Sequence, residues 1–265
     1  MPAQSDYIVE GHPKPHRRAG AGARIVLLHG FLGGSAHWQA EIARFSATHD
    51  VIAPDLPGFG EAGAMPGYDR IERMADYLID LLDDIGVTAF SLLGHSMGGM
   101  VAQSVAAKIP DRVHRLILYG TGPLGVMPDR FETLDVSRRR LREDGIENSV
   151  RRIAATWLVK REHDPNLPFL ASVGDCASVD AALKAFDAME HWDGRQQLPS
   201  LRMPSLILWG DRDRSYRWPQ IETLWTGLPN ASLAAVPGAS HAAHLEKPRV
   251  VHAILEDALN EAASQ

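Results

Sequence analysis

Short apolar runs alternate with amphipathic stretches along most of the chain. That rhythm predicts strand–helix units and so an α/β fold with a mainly parallel, twisted sheet flanked by helices. Arg24–His29 (RIVLLH), His49–Pro54 (HDVIAP), Ala89–Leu93, Arg115–Tyr119, Ser205–Trp209 and Ser232–Val236 read as strands. Tyr68–Ile85 has helical spacing at Ile71, Met74, Ala75, Leu78, Leu81 and Leu82, and Met97–Lys108 is helix-like. Glu246–Leu259 reads as a closing helix with Pro248 in its first turn, where a missing N–H costs nothing.

The rhythm breaks between about Gly122 and Gln197. Ile146, Val150, Ile153, Trp157 and Leu158 form one helical stripe, and Val179, Leu183, Phe186 and Met189 form another, with no strand between. An all-helical insertion between two strands reads as a cap over the C-terminal edge of the sheet, where open α/β sheets bind ligands. The expected organisation is a core of residues 1–121 and 198–265 with a helical cap, or lid, at 122–197. No internal repeat or low-complexity segment interrupts it.

Between the Ala89–Leu93 run and the Met97–Lys108 stretch stands Gly94-His95-Ser96-Met97-Gly98. This G-x-S-x-G, set between strand and helix, has the context of a nucleophile elbow. Glycines at 94 and 98 relieve crowding in so sharp a turn, and Ser96 would sit at a helix N-terminus that favours negative charge. A serine hydroxyl needs a base to take its proton, and the base needs an acid to hold its tautomer. Downstream, one strand runs into Gly210-Asp211-Arg212-Asp213 and the next into Pro237-Gly238-Ala239-Ser240-His241. His241 is assigned as the general base and Asp213 as its orienting acid. His244 is the competing base and Asp211 the competing acid. His95 and His29 are expected to be structural, with His29 bracing the loop of Phe31.

Five motifs in order then carry a resemblance: His29-Gly30-Phe31-Leu32-Gly33-Gly34, Asp55-Leu56-Pro57-Gly58-Phe59-Gly60, Gly94–Gly99, Gly210–Asp213 and His241. Over nearly its whole length the chain resembles the α/β-hydrolase superfamily. The resemblance implies an acid three residues after the strand-end glycine, which selects Asp213 over Asp211. It also implies an oxyanion hole made by the backbone N–H groups of Phe31 and Met97. Within the superfamily the chain resembles capped enol-lactonases, small-ester hydrolases and meta-cleavage-product C–C hydrolases. It departs from the C–C hydrolases, which typically carry Gly-Pro-Gly after His-Gly and Asn before the nucleophile, where this chain has Phe31-Leu32-Gly33-Gly34 and His95. Many relatives have Ser where this chain has Glu61, which is expected to face solvent. Ser96 rather than Asp at the elbow argues against dehalogenase and epoxide hydrolase chemistry.

Composition narrows the picture. A net charge of −6 argues against general nucleic-acid binding. No apolar run approaches the ~20 residues of a membrane span, and the polar Met1–Glu10 segment lacks the apolar core of a signal peptide. Cys176 is the only cysteine, so no intrachain disulfide can form, and a cytoplasmic location is expected. The 12 histidines are scattered without H-E-x-x-H, so no metal site is expected, and the serine-hydrolase reading calls for no cofactor.

Trp157, Phe186 and Trp192 are candidate substrate-binding residues of the cap, with simple packing as the alternative. Arg138, Arg139, Arg140, Arg142, Arg151 and Arg152 lie among Glu143, Asp144 and Glu147 and read as a solvated face. One of these arginines could instead clamp a substrate carboxylate. Trp38 is core or pocket wall. The function expected is a serine esterase or lactonase acting on a small-molecule substrate without nucleic acid or membrane, as a monomer or homodimer. C–C hydrolysis of a vinylogous diketone with the same residues is the alternative. A slow-turnover ligand receptor is a further one, and a cofactor-free dioxygenase another.

Overall fold

In the computed structural model, which describes residues 7–126 and 131–261, the apolar runs become the strands of a single seven-stranded sheet. The strands are β1 (His16–Ala19), β2 (Ala23–Leu28), β3 (His49–Pro54), β4 (Phe90–His95), β5 (Val113–Tyr119), β6 (Ser205–Gly210) and β7 (Ala231–Val236). Their order is β1-β3-β2-β4-β5-β6-β7, parallel throughout except that β1 runs antiparallel to β3. β1 carries no apolar run (His16-Arg17-Arg18-Ala19), so nothing in the hydrophobic pattern announces it.

Side chains alternate across the sheet with the two-residue period of a strand. Val26, Leu28, Ile52, Leu92, Leu116 and Leu118 face one core. They meet the apolar stripe of α2 (Ile71–Asp84), built from the six positions read from the spacing, and the almost wholly buried α3 (Met97–Lys108). Ile25, Leu27, Val51, Leu93 and Ile117 face the other core, against α1 (Gln39–Phe45) and the C-terminal helix.

Between β5 and β6 lie α4 (Leu134–Thr156), α5 (Leu167–Gly174) and α6 (Val179–Glu190). α4 is two helices merged across Gly145, whose φ of 75° suits a residue without Cβ. Thr133 and Ser178 cap α4 and α6 by accepting from the N–H groups of Val136 and Ala181. α7 (Trp218–Gly227) joins β6 to β7. The predicted closing helix is in fact two, α8 (Ala243–Glu246) and α9 (Pro248–Glu261). Lys247 between them leaves helical geometry (φ −137°, ψ 52°), because a residue before proline is driven out of the α region.

The chain leaves β2 toward β3 on one side and returns to β4 on the other, so the C-terminal ends of β2 and β4 flank the topological switch point where α/β sheets bind ligands. In register, Leu28 lies beside Gly94, Gly94 beside Leu118, and Gly210 beside Val236. The loops carrying Phe31, Ser96, Asp213 and His241 therefore leave the sheet at one edge.

Candidate active site

Ser96 stands between the last residue of β4 and the first of α3 with φ 57° and ψ −122°, backbone that a residue bearing a Cβ adopts only under strain. The surroundings hold it there. Ser96 N–H donates to Tyr119 O at 3.0 Å, and Ser96 O accepts from Gly99 N–H at 2.8 Å and from Thr121 Oγ1 at 2.7 Å. The glycines are demanded by close approach: a Cβ at Gly94 would stand 2.3 Å from Gly98 O, and one at Gly98 would stand 2.3 Å from His29 O. Serine at a helix start ordinarily caps it, but the Ser96 hydroxyl makes no cap bond and instead lines a cavity.

His241 lines the same cavity. Its Nδ1 donates to Asp213 Oδ2 at 2.8 Å, and both side chains are buried. Asp213 is pinned in turn, because its Oδ1 accepts from Ser215 N–H at 2.7 Å and Tyr216 N–H at 3.1 Å. Gly120 (φ 50°) passes close behind this pair, and a Cβ there would stand 3.2 Å from His241 Nδ1. The Tyr216 ring stacks on His241 at 5.6 Å. With Nδ1 committed to the carboxylate, the other ring nitrogen is the one available for proton transfer.

The competing assignments are placed elsewhere. Asp211 is partly exposed and accepts from Gly238 N–H at 2.7 Å. His244 sits in the opposite core, its ring tilted against Trp38 at 5.2 Å, with its Nδ1 taken by Tyr119 Oη at 3.0 Å. Burial lowers its pKa to about 4, so it is neutral at pH 7. His95 also faces away from the cavity, donating from Nε2 to His241 O at 3.0 Å, and its own pKa is held well below the usual value by burial. His29 braces the loop after β2. Its Nε2 accepts from Leu56 N–H at 3.0 Å, so Nδ1 carries the proton and donates to Gly30 O at 2.8 Å.

Met97 opens α3, so its N–H has no acceptor within the helix. The Gly30–Phe31 backbone runs beside Ser96, and a Cβ on Gly30 would stand 3.4 Å from Ser96 Oγ. Both proposed oxyanion amides thus belong to peptides adjoining the serine.

Of the three aromatics of the 122–197 segment read as substrate-binding candidates, Trp157 lines the Ser96 cavity. Phe186 stands behind the wall, packed on Phe31 at 4.6 Å. Trp192 is buried beside Gly194, where a Cβ would meet its indole at 2.6 Å. Neither is in the wall itself. Missed in the sequence were Ile153, Met189, Ser215, Tyr216 and Phe131, all of which line the cavity. A signal existed for two of them: Ile153 lies one turn before Trp157 on the same stripe, and Met189 ends the second stripe. The cavity is small, about 30 Å³, and among the described residues no Asp, Glu, Lys or Arg side chain lines it.

Three of the six arginines, Arg138, Arg140 and Arg152, are held in ion pairs. Arg138 meets Asp187 at 2.8 Å and also pairs with Glu190, while Arg140 and Arg152 meet Glu132 at 3.0 and 2.7 Å. None lines the cavity. Glu61 is largely exposed, 3.8 Å from Arg17. Among the described residues no group of side chains is placed to hold a metal, and no helix is long and apolar enough to cross a membrane.

This arrangement, with a strained serine after a central strand and a carboxylate-bound histidine lining the same cavity, coincides with a match to the family model described as alpha/beta hydrolase fold, over residues 23–248. The chain belongs to the alpha/beta hydrolase fold family. A protein of Pseudomonas savastanoi pv. phaseolicola named "Putative carbamate hydrolase RutD" is 28% identical over 255 residues, covering 92% of this chain and 97% of that one. The enol-lactonase from Burkholderia xenovorans LB400 superposes with a TM-score of 0.85 at 20% identity, covering 96% of this chain and 99% of its own, a likeness of fold. A thermophilic esterase from Thermogutta terrifontis superposes with a TM-score of 0.84 at 27% identity, covering 97% of both chains. With relatives of these kinds, the chain is a hydrolase.

Proposed function

We propose that the chain is a serine hydrolase that cleaves a small carboxylic ester or lactone through an acyl-enzyme. The observation that carries this reading is the pairing of Ser96 and His241 in one cavity, with Asp213 bound to His241 Nδ1. His241 Nε2 takes the hydroxyl proton as Ser96 Oγ attacks the carbonyl carbon. The negative charge that develops on the carbonyl oxygen is received by the Phe31 and Met97 N–H groups, each typically worth about 3 kcal/mol in such a role. His241 returns the proton to the leaving oxygen, and the acyl group remains on Ser96. A water deprotonated by His241 then attacks the acyl carbon and releases the acid.

The helical segment 122–197 acts as the cap in this reading. Ile153, Trp157 and Met189 come from it and close an apolar pocket over the serine, which supports a small, uncharged acyl group. Arg138, Arg140 and Arg152 are held by carboxylates outside the wall, so among the described residues none of these three is placed to clamp the free carboxylate of a dicarboxylic enol-lactone. The carbamate hydrolase relative favours a second substrate class, a carbamate, whose carbonyl would meet the same groups with nitrogen departing.

The deciding assay is turnover of p-nitrophenyl acetate, butyrate and octanoate by wild type and Ser96→Ala. Release that falls with chain length and drops at least ~10⁴-fold in Ser96→Ala is expected. Release that persists in Ser96→Ala would overturn the reading.

A further inference from the structure

The loop bearing His241 is held through the backbone of three successive residues, 240 to 242. Ser240 N–H donates to Glu246 Oε2 at 2.6 Å, His241 O accepts from His95 Nε2 at 3.0 Å, and Ala242 N–H donates to Trp157 O at 3.0 Å. The His95 contact comes from beneath, off the end of β4. The other two lead to the helical segment. The second oxygen of Glu246, Oε1, accepts from Val159 N–H at 2.7 Å, so one carboxylate spans the residue before His241 and the second residue after Trp157. Trp157 and His241 both line the Ser96 cavity, their rings 5.9 Å apart.

We infer that Glu246 is a positioning residue that straps the histidine loop to the wall of the acyl pocket, so that the fit of a substrate against Trp157 sets the alignment of His241 with Ser96. The inference rests on the reading of His241 as the base. Chemistry explains why a glutamate stands here. Two backbone N–H groups from separate segments converge on one side chain, and only a carboxylate offers both an acceptor. A glutamine keeps the shape but aims an NH₂ group at one of the two N–H donors, losing that bond and leaving the donor unpaired. An aspartate keeps the charge but is one methylene too short to span both. The backbone supports the placement: α8 ends at Glu246, and Lys247 breaks the helix before Pro248, which holds the carboxylate beside the loop that precedes α8.

A substrate too bulky for the pocket would push Trp157 outward, and the Ala242–Trp157 and Ser240–Glu246–Val159 bonds would carry that displacement into the histidine loop. Misplacement of a catalytic group by about 1 Å can cost on the order of 100-fold in rate. The strap thereby makes selectivity appear in kcat as well as in KM.

The test uses the purified full chain and two variants, Glu246→Gln and Glu246→Asp. Amide hydrogen exchange is read in residues 157–160 and 239–243, and kcat and KM are measured separately for p-nitrophenyl acetate. For Glu246→Gln the expected result is faster exchange in both segments together. The accompanying kinetics are a kcat about ten- to a hundredfold lower and a KM within about threefold of wild type. Glu246→Asp should show the same coupled pattern at smaller amplitude, and it carries the test should the glutamine variant not fold. Faster exchange in one segment only, or in neither, overturns the strap. Faster exchange in both with kcat unchanged overturns the positioning role. The exchange measurement does not depend on turnover, so absence of Ser96-dependent hydrolysis in the wild type would count against the serine hydrolase reading and not against the strap.

Discussion

At position 96 the backbone holds a serine where glycine is the comfortable residue, and the neighbours of that serine show what the strain requires. Gly98 leaves the elbow no room for a Cβ, since one would meet the backbone oxygen of His29, which cannot move without moving the end of β2. Gly98→Ala is therefore expected to lower stability by about 1–3 kcal/mol, read from the midpoint of denaturant unfolding, with turnover falling further than stability. The two aspartates of the loop after β6 make a sharper contrast. Asp213→Asn should lower kcat by about 10⁴, because an amide at position 213 no longer holds His241 in the donor tautomer. Asp211→Asn should leave kcat at the wild-type value, since Asp211 serves Gly238 and solvent. A reversed pattern in steady-state kinetics would transfer the acid role to Asp211.

Single elements respond to pH with opposite signs. Burial lowers the His29 pKa to about 4, and its Nε2 must stay unprotonated to accept from Leu56 N–H. With a folded pKa below the unfolded value, stability from this group is complete above pH 6.5 and is lost as pH falls toward 4, by roughly 3 kcal/mol. Asp55, buried under the Gly34-Ser35 turn, has its pKa raised to about 6. Its contribution is complete below the unfolded value of 3.8 and is lost as pH rises through 6. Denaturation midpoints measured from pH 7 to pH 4 should therefore fall less steeply in His29→Gln than in wild type, and more steeply in Asp55→Asn. Equal slopes in all three proteins would show that neither loop titrates in this way. Elements were legible where the pattern was strong, as in β3 and α3, whose bounds match the reading at both ends. They were not legible where an element draws its order from elsewhere. β1 exists because β3 offers it an unpaired edge, and α8 separates from α9 because Pro248 acts on the residue before it.

Across the whole molecule, the helical segment carries the largest gap between composition and role. Its arginine cluster reads as a face that could recognise a substrate carboxylate, yet Arg138 ties α4 to α6 through Asp187 and Glu190. Arg138→Gln should lower kcat/KM equally for p-nitrophenyl butyrate and for a p-nitrophenyl monoester of a dicarboxylic acid, through loosening of the wall. A selective loss on the acidic ester would place the arginine against substrate. From the sequence alone came what is encoded locally: the order of strands and helices along the chain, the elbow with its two glycines, and a histidine and an aspartate at later strand ends. Those signals survive in one dimension because propensity, hydrophobic period and turn chemistry act over a few residues. Tertiary structure decided the rest. It set which strands are neighbours, that Asp213 meets His241 while Asp211 does not, that Trp157 reaches the cavity while Phe186 stands behind it, and that Glu246 bridges two distant segments. Each of these depends on contacts between residues far apart in the chain, and such contacts leave no periodic trace in the sequence.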